Sequence, residues 1–380
     1  MKITSIVGAR PQFMKYFPIS KAIEAAQKQS SRLFQDVLIH TGQHYDYNMS
    51  SVFFEELGIK EPDHHLGIGS GSHGRQTGQM LEKIEEALLL EKPDVVIVYG
   101  DTNSTLAGAL AASKLHIPLA HVEAGLRSFN KYMPEEINRV ETDHVSSVLF
   151  CPSKRAVENL SNEGFKNMLS EGNLISVDPQ KLRIDIDRPL VANVGDVMYD
   201  MLLLSVQLAL ERSSIVKRLG VESQEYILLT LHRAENTDHP QKLEEIVRFV
   251  NQVSAGHPVI FPMHPRTRKI YESHPFGTHV KTIDPVGYFD NLMLLKNSAL
   301  LLTDSGGMQK ESYWLEVPCI TLREETEWTE TVESGWNVLY RDYTGEHSPS
   351  SSPQCYGDGK AAERIVATIC GNGPKIEQSF

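Results

Sequence analysis

The sequence of 380 residues is poor in cysteine, with four, and holds fewer basic residues than acidic ones, 37 against 49. Cys151, Cys319, Cys355 and Cys370 are scattered and form no Cys-x-x-Cys pair. That excludes a disulfide framework and a thiolate zinc site, and fits a reducing compartment. The formal net charge of −12 argues against nucleic acid, because phosphate binding over a broad face needs a basic surface. An anionic small ligand must therefore be met by a local gathering of cations. No stretch approaches the roughly 18 apolar residues of a membrane span. The apolar run ended by Gly8 and Pro11 is too brief for a signal peptide. The expectation is a cytoplasmic chain with no membrane partner.

Cofactor motifs are missing as well. Gly69-Ser70-Gly71-Ser72-His73-Gly74 has the letters of a dinucleotide fingerprint, but Pro62-Asp63-His64-His65 precedes it where a strand is required. It is expected to be a loop of the kind that closes over substrate. Tyr356 and Lys360 have the Tyr-x-x-x-Lys spacing of some NAD-dependent sugar enzymes, without a partner fingerprint. His64, His65 and the Gln43-His44 pair lack an accompanying ligand set. Neither NAD nor a metal is expected.

What is present is strand–helix alternation. Apolar runs at 3–7, 37–41, 95–99, 119–123 and 147–151 are separated by helical patterns such as 80–90, 105–115 and 137–143. A second series follows at 226–231, 259–263, 300–303 and 319–322, with a helix at 243–253. With 41% hydrophobic residues the chain can fill two cores. The predicted fold class is α/β, with two Rossmann-like domains facing across a cleft and parallel sheets covered by helices on both faces. The expected division is residues 1–195 plus 361–380 and residues 196–360, with a hinge near Gly195 and a Ser/Pro/Gly-rich loop at 346–359.

Ligands of such sheets bind outside the carboxyl ends of the strands, so the residues just after each strand matter most. The first strand runs into Gly8-Ala9-Arg10-Pro11-Gln12-Phe13-Met14-Lys15, where free helix N–H groups and two cations would meet an anion. The third ends in Gly100-Asp101-Thr102, and an Asp there most often caps a helix. Glu123 closes the next apolar strand, a costly place for a carboxylate unless it is paired or functional. Glu135 follows Met133-Pro134 at a helix start, where an acidic residue also has an ordinary electrostatic role. Three carboxylates at neighbouring strand or helix ends suggest a common point.

In the second half, strands lead into His232-Arg233, into His264-Pro265-Arg266 and into Asp304-Ser305-Gly306-Gly307. Ser-Gly-Gly opening a helix exposes N–H groups to phosphate oxygens, and Glu311, one turn on, suits two ribose hydroxyls. A His at a strand end is usually structural, yet cations and an N–H nest at successive ends indicate a diphosphate site.

GARPQFMK, TGQHYD, SGSHG, GDTNST, HVEAGLRS, PEEINR, TLHRAENT, DSGGMQKES and LREETEW occur in this order and together cover almost the whole chain. They resemble the non-hydrolysing UDP-N-acetylglucosamine 2-epimerase family. The resemblance implies a GT-B-like fold, a final helix returning to the first domain, a homodimer, and a UDP-sugar as ligand. It matches Asp101, Glu123, Glu135 and His232 to catalytic positions, and Arg10 and Lys15 to diphosphate contacts. It further matches Ser305, Gly306, Gly307 and Glu311 to the UDP segment, and Arg139 and Arg323 to further cleft positions. Gln43, His44, Arg75 and Gln76 match regions where some members bind an activating second UDP-sugar.

Two departures bear on which UDP-sugar is used. Many members read Thr-Glu-Arg-Pro-Glu where this chain has Thr326-Glu327-Trp328-Thr329-Glu330, and residues 170–188 differ from the usual first-domain ending. Relatives act on sugars modified at carbon 3 or oxidised at carbon 6. Other readings are a hydrolysing epimerase, a glycosyltransferase that needs an acceptor, and a non-catalytic UDP-sugar sensor. The retained carboxylates and His favour chemistry over sensing.

Overall fold

A computed structural model describes residues 1–29, 31, 33–42, 59–175, 184–221, 223–263, 268, 276–326, 328–345, 347, 349 and 355–371. In chain order it contains β1 (Lys2–Val7), α1 (Arg10–Gln29), β2 (Gln35–His40), β3 (His64–His65), α2 (His73–Glu91), β4 (Val95–Tyr99) and α3 (Asn103–Lys114). These are followed by β5 (Leu119–Val122), α4 (Pro134–Val145), β6 (Val148–Cys151), α5 (Lys154–Asn162), β7 (Asn167–Met168), β8 (Leu190–Asn193) and α6 (Val197–Arg212). Then come α7 (Ile215–Leu219), β9 (Ile227–Thr230), α8 (Ala234–Thr237), α9 (Pro240–Val253), β10 (Val259–Pro262), β11 (Val280–Ile283) and α10 (Tyr288–Lys296). The last are β12 (Leu300–Thr303), α11 (Gly306–Trp314), β13 (Cys319–Thr321), α12 (Thr329–Glu333), β14 (Asn337–Leu339) and α13 (Ala361–Gly371).

The chain forms two compact units, Met1–Met201 with Tyr356–Phe380, and Leu202–Cys355. Among the described residues, the first unit holds a parallel sheet in the order β3-β2-β1-β4-β5-β6-β8-β7. The inner strand β4 is apolar along its length (Val95, Val96, Ile97 and Val98 are all buried) because helices cover both faces of a parallel sheet. Each such side chain contributes roughly 1.5–3 kcal/mol by leaving water. α2 and α3 pack against one face with Met80, Ile84, Ala107 and Ala111. Asp200 on α6 accepts the N–H groups of Ala361 and Ala362 at the start of α13, which packs against α1.

The second unit holds a parallel sheet in the order β11-β10-β9-β12-β13-β14. Its two faces are filled by separate clusters, one around Leu229, Phe261 and Leu302 and the other around Leu228, Ile260 and Leu301. The alternation of neighbours in sequence between two clusters is the period-two pattern of a strand covered on both sides.

Each sheet reverses its direction of winding beside its first strand. In the first unit the chain moves outward from β1 to β2 and β3, then returns to place β4 on the other side of β1. In the second it moves from β9 to β10 and β11, then returns to place β12 on the other side of β9. A crevice opens at the carboxyl end of a sheet where the order reverses. Those points are followed by Gly8–Arg10 and Gly100–Asp101 in one unit, and by His232–Arg233 and Asp304–Gly307 in the other. No described helix is long and apolar enough to cross a membrane.

Candidate active site

At the switch point of the first unit, the turns after β1 and β4 are stapled by one buried side chain. Gln12 accepts hydrogen bonds from the N–H groups of Gly8 (2.8 Å) and Ala9 (3.0 Å), and donates to the Tyr99 carbonyl and to Thr105 Oγ1, both at 2.9 Å. Gly8 is required there, because a Cβ would lie 2.0 Å from Ser104 Oγ. Arg10 opens α1 at the surface, and Lys15 is buried one turn further on.

Thr102, not Asp101, caps α3: its side chain accepts from the Thr105 N–H, and Thr105 returns a bond to the cap. The Asp101 carboxylate is thereby released from capping and pairs with Arg139, Oδ2 to Nη2 at 3.1 Å, while its carbonyl accepts from Asn138 Nδ2 at 2.9 Å. Burial raises the Asp101 carboxyl above its usual range; Arg139 opposes that rise, and Glu123 and Glu135 add to it.

Glu123 lies just beyond β5, one residue past the end of the pairing, with φ 74°. That left-handed conformation costs a non-glycine residue roughly 1–2 kcal/mol and is concentrated at functional sites. Its Oε1 sits 2.8 Å from Lys15 Nζ, and the two side chains are only 14% and 10% exposed. Burial opposes the Lys15 charge, but the field and hydrogen bond of Glu123 outweigh it, with Asp101 and Asp196 adding, so the ammonium is held above its usual range. Glu135 stands exposed in the first turn of α4. Its neighbour Glu136 is buried, accepting the N–H groups of Ser128 and Phe129 at 2.8 and 2.9 Å.

In the second unit, Asp304 is fully buried at the end of β12 and accepts from the N–H groups of His232 (3.0 Å) and Arg233 (2.9 Å), and from Asn236 Nδ2 (3.2 Å). The His232 ring projects from that clamped turn, with Nδ1 3.5 Å from Asp304 Oδ1. α11 starts at Gly306 behind Ser305, whose side chain makes no capping bond. The first N–H groups of a helix lack intrahelical partners and carry partial positive charge, so this start suits an anion. Glu311 lies within 3.3 Å of the Tyr288 hydroxyl, and Arg323 follows β13 half-buried. Thr326 donates to Gln309 at 2.6 Å and the Trp328 ring covers Lys310 Nζ at 3.9 Å from its centroid, tying the divergent segment to α11.

Thus Lys15, Asp101, Glu123 and Arg139 come together in one unit, and His232 with Ser305, Gly306 and Gly307 at adjacent strand ends in the other. Gln43, His44 and His264 lie outside the described residues. Arg75 is exposed on α2, whereas Gln76 is buried, donating to the Gly69 carbonyl at 3.0 Å and accepting from Asn103 Nδ2 at 2.8 Å. Sequence reasoning missed Gln12, Asn138 and Asp304. The detectable signal was a polar residue in an otherwise apolar stretch, which demands buried partners. Among the described residues no group of three potential metal ligands occurs.

Two helix-covered parallel sheets, each with polar groups at its reversal of strand order, define a GT-B-like α/β protein. The family profile described as UDP-N-acetylglucosamine 2-epimerase matches residues 26–370. A Methanococcus maripaludis protein described as a UDP-N-acetylglucosamine 2-epimerase homolog is 48% identical over 385 positions, covering 97% of this chain and 99% of the relative. The Pseudomonas aeruginosa UDP-2,3-diacetamido-2,3-dideoxy-D-glucuronate 2-epimerase is 49% identical over 378 positions, with 96% and 98% covered. The UDP-GlcNAc 2-epimerase of Methanocaldococcus jannaschii superposes with a TM-score of 0.80 at 42% identity, covering 98% of this chain and 100% of that one. A second structure of that enzyme, in complex with UDP-GlcNAc and UDP, gives 0.73. The chain belongs to the UDP-N-acetylglucosamine 2-epimerase family.

Proposed function

We propose that the chain reversibly inverts carbon 2 of UDP-N-acetylglucosamine, giving UDP-N-acetylmannosamine. The hydrogen on carbon 2 is not adjacent to a carbonyl, so direct removal is very unfavourable. Expelling UDP first solves the problem. The C1–O bond breaks with its electron pair leaving on the diphosphate, and a carboxylate takes the proton from carbon 2. A C1=C2 double bond forms. The resulting glycal then receives a proton on the opposite face of carbon 2, and the diphosphate oxygen re-forms its bond to carbon 1.

Asp101, Glu123 and Glu135 carry these proton transfers. Asp101, raised by burial, is suited to exchange a proton nearer neutral pH than an ordinary carboxyl. Arg10, Lys15, His232, His264 and the Ser305–Gly307 amides stabilise the departing diphosphate, with Arg139 and Arg323 as supporting cations and Glu311 holding the ribose. The reaction leaves no role for a metal or NAD. The observation that carries this reading is the grouping of Lys15, Asp101, Glu123 and Arg139 at the β1/β4 reversal in a chain of this family.

The test is turnover in deuterated buffer followed by proton NMR. Product with one deuterium at carbon 2 and trace UDP plus glycal supports elimination; retention of the original hydrogen overturns it. A second substrate, a UDP-2,3-diacetamido uronic acid, is favoured by the 49% identity to the Pseudomonas enzyme. Assaying both sugars in parallel decides between them. Stoichiometric free N-acetylmannosamine would instead assign the hydrolysing reaction.

The reading extends to a cytoplasmic homodimer activated by a second UDP-sugar at the segment containing Gln43, His44, Arg75 and Gln76. Four scattered cysteines with no Cys-x-x-Cys pair support a reducing compartment, and Leu89 and Leu90, 55% and 72% exposed on α2, support an apolar contact between copies. A light-scattering mass of one chain would remove the dimer, and hyperbolic kinetics without activation would remove the second site.

A further inference from the structure

His121, on β5, is fully buried, and both of its ring nitrogens face oxygen atoms. Nδ1 lies 2.6 Å from Asp143 Oδ1, and Nε2 lies 2.8 Å from the carbonyl oxygen of Gly100. A carbonyl only accepts, so Nε2 carries a hydrogen. The other Asp143 oxygen accepts from the Gly125 N–H at 3.1 Å and pairs with Arg127 Nη1 at 2.7 Å. Burial opposes ionisation, but the ring and the permanently charged guanidinium hold the carboxyl below its usual range, so Asp143 is an ionised acceptor and Nδ1 also carries a hydrogen. A neutral ring would press a lone pair against an oxygen where no water can intervene.

The Gly100 carbonyl is the last group before Asp101. Gly100 is held on every side: its N–H donates to the Val122 carbonyl at 3.0 Å and it adopts φ 62°. A Cβ there would come within 3.1 Å of Lys15 Nζ and 3.4 Å of Glu123 Oε1. Asp143 sits on α4, the helix that begins with Glu135, and its hydrogen bond to Gly125 fixes the turn that carries Glu123. One buried carboxylate therefore connects the backbone segments bearing all three candidate acid/base groups.

We propose that His121 is a positioning residue: as an imidazolium locked to Asp143, it donates to the Gly100 carbonyl and sets the direction in which Asp101 is presented. The inference rests on the reading of Asp101 as a proton-transfer group. It assigns a function to the His of the segment His121-Val122-Glu123 that contact with substrate does not provide.

Two measurements test it. In the full-length chain with 15N-labelled histidine at neutral pH, both ring nitrogens of His121 are expected in the protonated range. The assignment comes from the signal lost in His121→Gln. One nitrogen in the unprotonated range overturns the proposal, whatever sugar is turned over. The variants separate the two hydrogen bonds, because an Asn amide replaces Nδ1 toward Asp143 and a Gln amide replaces Nε2 toward Gly100. His121→Asn is expected to lose about 10²-fold in kcat, the scale of a small misplacement of a reacting group, with KM within about twofold. His121→Gln is expected to recover at least about tenfold of that loss. Equal impairment of both variants, or a loss expressed in KM alone, overturns it. Absence of any epimerisation by the unsubstituted chain instead removes the functional reading and leaves the nitrogen measurement standing.

Discussion

Lys15 Nζ and Glu123 Oε1 form an ion pair of 2.8 Å that joins α1 to the turn after β5. Glu123 holds the lysine while itself in a left-handed backbone conformation, and Asp101 and Asp196 add to the field on the ammonium. The pair thus ties the fold to the candidate site.

Breaking it from one side should be worse than removing it whole. Lys15→Met removes one partner of a mostly buried ion pair and is expected to cost about 3 kcal/mol of stability. It should also lower kcat/KM by about 10²–10³. Adding Glu123→Gln should restore much of the stability, read by denaturant unfolding, and none of the activity. Because the Lys15 pKa is raised in the folded state, its stabilising contribution is complete below the ordinary value of 10.5 and is lost as pH rises through the folded value.

The adjacent acids of α4 should separate cleanly. Glu135 is exposed, so Glu135→Gln should leave stability within about 0.5 kcal/mol while epimerisation falls at least about 10²-fold. Glu136 accepts two backbone N–H groups, and Gln keeps only one accepting oxygen, so Glu136→Gln should cost roughly 1–2 kcal/mol. Thermal melts and initial rates on the two variants check the contrast.

Gly307 is exposed in the first turn of α11, and a Cβ added there meets no atom of the chain within 4 Å. Gly307→Ala should therefore be neutral or stabilising by up to about 1 kcal/mol. If the helix start cradles diphosphate, the methyl group intrudes on the ligand, and calorimetric titration with UDP should show affinity reduced at least about tenfold. Unchanged affinity would place the diphosphate elsewhere.

Asp200 gives a pH signature. Burial pushes its carboxyl up to about 7, against the opposing N–H groups of Ala362 and Ala361, while Asp196 adds to the rise. A raised acid binds its proton more tightly when folded. Its contribution is therefore full below the unfolded value of 3.8 and is lost as pH rises toward 7. Asp200→Asn keeps an accepting oxygen for α13 and cannot ionise. The melting temperature of the original chain relative to this variant should fall steadily between those two pH values, and a constant difference would contradict the assignment.

The strands were legible because parallel, doubly covered strands are unbroken apolar runs, and Val95–Tyr99 and Leu300–Thr303 match their expected limits. Residues 119–123 were expected as one strand, but pairing stops at Val122 because Glu123 turns left-handed, a conformation that no local pattern announces. The site was legible as a set of strand ends. What escaped was the division of labour: Asp101 is a plausible helix cap until Thr102 is seen to take that role. Lys15 is expected from the sequence at a diphosphate, and the structure shows it paired with Glu123. Asp304 and Gln12 act through backbone N–H groups distant in sequence, and that pairing exists only once the sheets are formed.

The docking of α13 onto α1 has a consequence for biosynthesis. α1 leaves the ribosome with Phe13, Tyr16, Phe17 and Ile19 to bury, but its partner helix, Ala361–Gly371, is translated only after the whole of Leu202–Cys355. At about 5–20 residues per second the nascent chain spends on the order of tens of seconds in that unfinished condition. The stretch Leu202–Cys355, continuous in sequence, is complete before then. The unit begun first is therefore completed only after the other, with its apolar surface exposed in the meantime.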